Sequence, residues 1–313
     1  MNKYVLAAIT AFFIWGFFSL PLRPLQEYSS VSILLFRVVF SILLLTIYVA
    51  TRTNYLREIK SDWQKLPREA KKKQAYYIIL NGAFLSLNWL SFIYTVNHVS
   101  VRATSLAYLI APILTAFLAV WLLKEKLHSW QWISIVISVL ACILLAYDTP
   151  FDALAALFVG FTFAIYLVIQ KKIIIKRSTP LLLMQLLIAL PAILIYVWSQ
   201  KESFTIPTEP NFYILLVIIA VFFTIIPLLL NIYALKGASS ATVGMLININ
   251  PIIIFLLSVF YWKELIQDVQ IAAFLLIFAA VILFNQHLFF RRRKVKPISE
   301  IGSEQYASAL KWG

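Results

Sequence analysis

Residues 103–123 read ATSLAYLIAPILTAFLAVWLL, without one Asp, Glu, Lys or Arg, and Lys124-Glu125 follow at once. A helix needs roughly 20 apolar residues to cross the hydrocarbon of a bilayer, so this stretch is long enough to span. The same freedom from charge holds over 4–22, 74–101, 127–147, 153–170, 178–200, 210–235, 237–262 and 269–290, and 28–51 is broken only by Arg37. Of the 313 residues, 62% are hydrophobic and 13% charged, against about 25% charged in a soluble domain. That much apolar surface cannot be hidden in one core while the outside stays wettable. The predicted fold class is an all-α integral membrane protein of ten transmembrane helices.

The charges orient it. The formal net charge is +14, from 27 Lys and Arg against 13 Asp and Glu. With an even number of spans and the amino terminus inside, every Lys and Arg except Arg23, Arg37, Arg102, Lys201 and Lys263 falls on the cytoplasmic side. This is the positive-inside distribution. It predicts both termini cytoplasmic and accounts for the basicity without a nucleic-acid partner. The one cysteine, Cys142, lies inside a span and forms neither an internal disulfide nor a cysteine metal site. No cofactor or metal is expected. The start of the chain is read as the first span rather than a cleaved leader, for no small-residue cleavage pattern precedes Trp15-Gly16. Residues 52–73 are read as a basic cytoplasmic loop, and 291–313 as a basic cytoplasmic tail.

The opening stretch recurs. Ala111-Pro112-Ile113-Leu114 through Val120 to Lys124-Glu125 matches, at an offset of 139 residues, Asn250-Pro251-Ile252-Ile253 through Val259 to Lys263-Glu264. Ile93-Tyr94 aligns with Ile232-Tyr233 in the same register, and weaker matches pair Ile14-Trp15-Gly16 with Ala164-Ile165-Tyr166 and Phe36-Arg37 with Met184-Gln185. Two five-helix halves are expected, 1–148 and 149–290. Five is odd, so the second half enters the membrane from the opposite side. Inverted repeats suit a midplane site that opens alternately to each side.

Arg37 is the one formal charge that must lie at membrane depth. Such a charge is costly and faces a cavity or a partner; a guanidinium there offers a fork of donors to a carboxylate or phosphate, or else snorkels outward. Asn81, Asn88 and Thr95 recur every seven residues on one face of span three, shared by Leu85 and Phe92. Thr104, Tyr108 and Thr115 share a face of span four, and Thr162, Tyr166 and Gln170 one of span six. Polar groups avoid lipid, so each lines a wet cavity or bonds between helices; for the convergent set a cavity is expected. Gln185 in span seven and Asn248 and Asn250 in span nine complete the polar candidates. Trp15, Trp89 and Tyr94 are read as an aromatic wall, and the remaining span tryptophans as interface anchors. Pro112 and Pro251 remove a backbone donor at equivalent points and are expected to kink spans four and nine. No carboxylate or histidine falls at the midplane, so exchange or downhill flux fits at least as well as a titrating proton relay. Glu125 and Glu264 are read as caps or as partners of Lys124, Lys126 or Lys263.

Phe12-Phe13-Ile14-Trp15-Gly16, Phe36-Arg37-Val38, Asn88-Trp89-Leu90 with Phe92 and Asn97, Ser105-Leu106-Ala107-Tyr108-Leu109, Ala111-Pro112, Lys124-Glu125, Gln131-Trp132, Ala164-Ile165-Tyr166, Pro227-Leu228-Leu229 and Asn250-Pro251 through Lys263-Glu264 occur in one order along the chain. In these it resembles the drug/metabolite transporter superfamily of EamA type, most nearly its RarD branch of bacterial permeases. Ala111 stands where that family more often has Asn, and Lys124 and Lys263 where it usually has Gly. The resemblance implies a ten-helix permease moving a small metabolite across the bacterial inner membrane. With Arg37, the expected substrate is amino-acid-like, another carboxylate or drug-like, and the direction export. A sugar-phosphate or nucleotide-sugar carrier is the alternative, although one deep Arg is little positive charge for it. An embedded enzyme would need a catalytic constellation, and none is present in the sequence; a channel or receptor would not need inverted halves. The expected partners are a small-molecule substrate and the lipid bilayer, with a homodimer left open.

Overall fold

The computed structural model describes residues 2–146, 150–175, 177–200, 204–263 and 267–290; Glu264 and the basic tail lie outside these. Ten helices are long and apolar enough to cross a membrane, and no strand occurs among the described residues. Span one runs Lys3–Leu25, span two Ser30–Thr51, span three Arg68–His98, span four Val101–Leu123 and span five Ser129–Ala146. Span six runs Pro150–Lys172, span seven Ser178–Ser199, span eight Pro210–Leu235, span nine Ser240–Tyr261 and span ten Asp268–Phe290.

The segment 52–73 that joins spans two and three is largely helical. Thr53–Gln64 is α-helical, and span three begins at Arg68, well before its apolar part. Leu, Arg, Glu, Lys and Gln dominate the segment, all good helix formers. Trp63 packs against the main apolar cluster, and Glu58 accepts from Arg177, which also lies over Tyr55. Such an amphipathic helix suits a membrane–water interface.

The helices form a ring in which spans of the two halves alternate. Span two packs on seven, seven on three, three on six, six on four, four on nine, nine on one, one on eight and eight on two. Spans five and ten pack on each other at the flank. Exchanging every span for the one five places along leaves this ring unchanged. Local features keep the same offset of 139. Ser100 accepts from the amide of Ala103 and Ser239 from that of Thr242, each satisfying a free donor at a helix start. Lys124 and Lys263 both adopt left-handed backbone, with φ of 55° and 53°, a region where a side chain is strained and glycine is not.

Close approach in the ring is carried mostly by alanine. Ala103, Ala107, Ala111, Ala116 and Ala119 are all buried along span four. Where even a methyl is too large, glycine appears. A Cβ on Gly160 would stand 3.1 Å from the Ala107 carbonyl oxygen and 3.2 Å from the Ala111 nitrogen, which brings spans four and six to backbone contact. The two expected proline kinks differ. Pro112 sits inside the unbroken helix Val101–Leu123. Span nine is interrupted: one segment ends at Leu246 and the next begins at Ile249, two residues before Pro251. Span eight carries a wide π-type turn at Val221–Ile225, and span nine another at Leu257–Tyr261.

Candidate functional site

Four elements meet around Arg37. Span two carries the guanidinium inward, with its carbon 4.9 Å from the ring centre of Trp89 on span three and 5.8 Å from that of Phe18 on span one. Tyr108 on span four lies within electrostatic reach. Arg37 is half-buried, and its Nε is buried with no hydrogen-bond partner. No ion pair to Arg37 occurs among the described residues. Aromatic faces attract a cation, but they do not satisfy its N–H donors. The site therefore holds a positive group in place while leaving donor capacity for an incoming acceptor.

Beside it lies a small cavity between spans three, four and six, lined by Asn88, Phe92, Ala107, Tyr108, Ala111, Val159, Gly160 and Phe163. Phe92 stacks near Tyr108, at 5.7 Å between ring centres. Pro112 has no N–H to offer the carbonyl one turn earlier, which is that of Tyr108. Gly160 opens the wall by carrying no side chain.

Trp15 is set by Pro227, a proline with no counterpart in the other half. Pro227 cannot donate to the carbonyl four residues before it, Phe223, and the indole Nε1 of Trp15 donates to that oxygen at 2.8 Å. Phe18 then stacks on Phe223 at 5.7 Å, so Trp15, Phe18, Arg37, Trp89 and Tyr108 form one connected group. Phe18 and Phe223 were missed. The available signal was the position of Pro227, four residues after Phe223 and inside an apolar span.

Tyr94 does not join this group. It is 53% exposed, stacks on His98 at 4.7 Å, and lines a groove with Tyr196 on the outside of spans three, six and seven. The aromatic wall is therefore Trp15 and Trp89 with Phe18, because Tyr94 lies five residues after Trp89 and a helix turns away over that distance.

Most of the polar face is helix-to-helix bonding rather than cavity. Asn81 Nδ2 donates to the Tyr166 carbonyl at 2.7 Å, and Asn88 Nδ2 to the Val159 carbonyl at 3.0 Å and to Thr162 Oγ1 at 3.1 Å. These bonds tie span three to span six; Asn88 alone among them also faces the cavity. Gln185 Nε2 donates to Gln170 Oε1 at 2.7 Å, tying span seven to six. Thr95 Oγ1 donates back to Ser91. A second set is buried without partners: both amide atoms of Asn231 and Asn248, Oδ1 of Asn250 and Asn81, Oε1 of Gln185 and the Tyr166 hydroxyl. These lie toward the end of the bundle where the 236–239 turn joins spans eight and nine.

At that end Glu125 is a cap, but of a helix in the other half. Its Oε1 accepts from the amide of Ser240 at 2.8 Å and its Oε2 from that of Ala241 at 3.1 Å, closing the start of span nine. Lys171 Nζ donates to the carbonyls of Leu235 and Ala238, both at 2.7 Å. No cluster of three or more possible metal ligands occurs among the described residues.

Ten membrane-length helices around an interior cation and a polar seam make this a multi-pass membrane protein. The model of the EamA-like transporter family matches residues 2–147 and again 151–286, and the chain belongs to that family. It is therefore a membrane transporter of the drug/metabolite type. "Uncharacterized transporter YojE" of Bacillus subtilis (strain 168) is 29% identical over 284 residues, covering 91% of this chain and 94% of that protein. "Protein RarD" of Salmonella typhi is 28% identical over 293 residues (93% and 97%), and "Protein RarD" of Escherichia coli (strain K12) 26% over 294 (93% and 96%). A solved chain titled only "Crystal structure of protein" superposes with a TM-score of 0.69 over 93% of this chain and 99% of its own, at 14% identity. It shares the fold.

Proposed function

We propose that this transporter is an alternating-access permease that exports a small organic carboxylate across the bacterial inner membrane, both termini cytoplasmic, with Arg37 as the anion anchor. The observation that carries the reading is the half-buried guanidinium packed on Trp89 and Phe18, with Nε unpartnered. A bound carboxylate supplies the acceptor the site lacks. Trp15 and Trp89 then offer apolar faces to the rest of the substrate. A single deep cation favours a monocarboxylate over a sugar phosphate or nucleotide sugar. Two inverted halves are supported by the twofold family match and by a ring of neighbours that survives exchange of the halves.

The test is thermal unfolding of the purified protein against a metabolite panel, with Arg37→Ala and Arg37→Gln alongside. A ligand at about 100 times its dissociation constant stabilises by about 2.7 kcal/mol. Carboxylates are expected to shift the wild type and neither variant, while both variants stay folded. Equal shifts of all three proteins by neutral or cationic compounds would remove Arg37 from the substrate site.

A further inference from the structure

The ring of neighbours survives exchange of the halves, but a second set of contacts does not. Span eight packs on six and on seven, and span nine packs on six. Their counterparts under the exchange are span three on one, three on two, and four on one, and among the described residues those pairs make no comparable contact. The additional packing sits at one end: it uses Ile226–Leu235 of span eight and Ser240–Leu246 of span nine, the segments flanking the turn that carries Lys236. The same end gathers Lys171, Lys172 and Arg177.

We infer that the molecule is shut on its lysine-rich side and open on the other, and that Glu125 is the latch that holds it shut. Glu125 belongs to the first half and its two bonds are to amides of the second, at the start of span nine. A carboxylate on two backbone N–H groups makes two charge-assisted bonds, the stronger kind. Lys171 braces the same turn through two carbonyls. Behind the latch lie Asn231 and Asn248, each buried with both amide atoms unpartnered. Buried amides without a protein partner are costly unless water reaches them, which suits groups that line a pathway in another state. They are the lining of the pathway that opens when Glu125 lets go. The inference rests on the alternating-access reading but not on the identity of the substrate.

The experiment uses full-length protein with the buried Cys142 replaced by Ala, and two single-cysteine reporters, Asn248→Cys behind the latch and Phe18→Cys beside Arg37. A membrane-impermeant maleimide is applied to intact cells and to inverted vesicles. With Glu125 present, Phe18→Cys is expected to react from the lysine-poor side and Asn248→Cys from neither. Glu125→Ala should speed labelling of Asn248→Cys from the lysine-rich side by about tenfold or more, as the loss of two such bonds implies, and slow labelling of Phe18→Cys. The opposed changes separate release of a latch from loosening of the fold, which would speed both. No change at either reporter, or a rise at both, would overturn the assignment. The outcome is independent of the metabolite panel, so failure of the Arg37 test leaves this one standing, and the reverse.

Discussion

A tryptophan hydroxylates nothing and ionises nowhere useful, yet Trp15 holds the geometry of the site by one N–H. Its indole completes a carbonyl that Pro227 leaves without a helical donor. Trp15→Phe keeps an aromatic ring and removes the donor, so the Phe223 oxygen is left in an apolar setting. An orphaned buried acceptor costs about 1–3 kcal/mol. The variant is expected to unfold at lower denaturant or temperature by that amount, whereas Phe13→Leu, on the exposed side of the same helix, should change little. Equal losses in the two variants would show that bulk, and not the hydrogen bond, is what counts. The same scale explains Lys124 and Lys263. Glycine would take the left-handed backbone at both positions without strain. Here each Lys accepts the strain.

Between elements, spans four and six come to backbone contact at Gly160. The nearest atoms to an added Cβ are backbone, 3.1 and 3.2 Å away, and backbone cannot swing aside as a side chain can. Gly160→Ala is therefore expected to destabilise measurably and Gly160→Leu to prevent a folded monodisperse protein, checked by thermal unfolding and size exclusion. A Gly160→Leu protein as stable as the wild type would mean that the two helices can part freely. This is also the scale at which pattern reading stopped short. Charge-free runs located every span, because lipid imposes one requirement on all of them. The helix Thr53–Gln64 within segment 52–73 was not legible, because an interfacial helix is polar on one side and shows no apolar run. Asn81 and Asn88 were legible as one face, but their bonds to the Tyr166 and Val159 carbonyls depend on which helix lies opposite. Periodicity along a single span does not contain that information. Arg37 stood out from the sequence alone, since a lone cation at depth needs an explanation wherever the other helices lie; Phe18 and Tyr94 could be placed only once span packing was known.

At the scale of the whole molecule, Lys171, Lys172, Arg177 and Lys236 are gathered at one end. Partial burial, and then the charge of Arg177, push the Lys236 ammonium down to about 8 from its ordinary 10.5; its Nζ also donates to Ser178 Oγ at 2.7 Å. A lysine whose folded value is lowered binds fewer protons folded than unfolded between those two values. Stability is therefore expected to rise as pH goes from about 8 to about 10.5, with no further change from this group below 8. Lys236→Met should flatten that rise in detergent unfolding curves; an unaltered slope would assign it to other groups. The alternating ring has a consequence for how the protein is made. No helix of the first half finds its ring neighbours within that half: span one waits for eight and nine, span two for seven and eight, span three for six and seven. During synthesis the early helices stand in lipid with their seams unmatched. The bundle is assembled only when the late helices slot between them, so the last third of the chain completes the structure of the first.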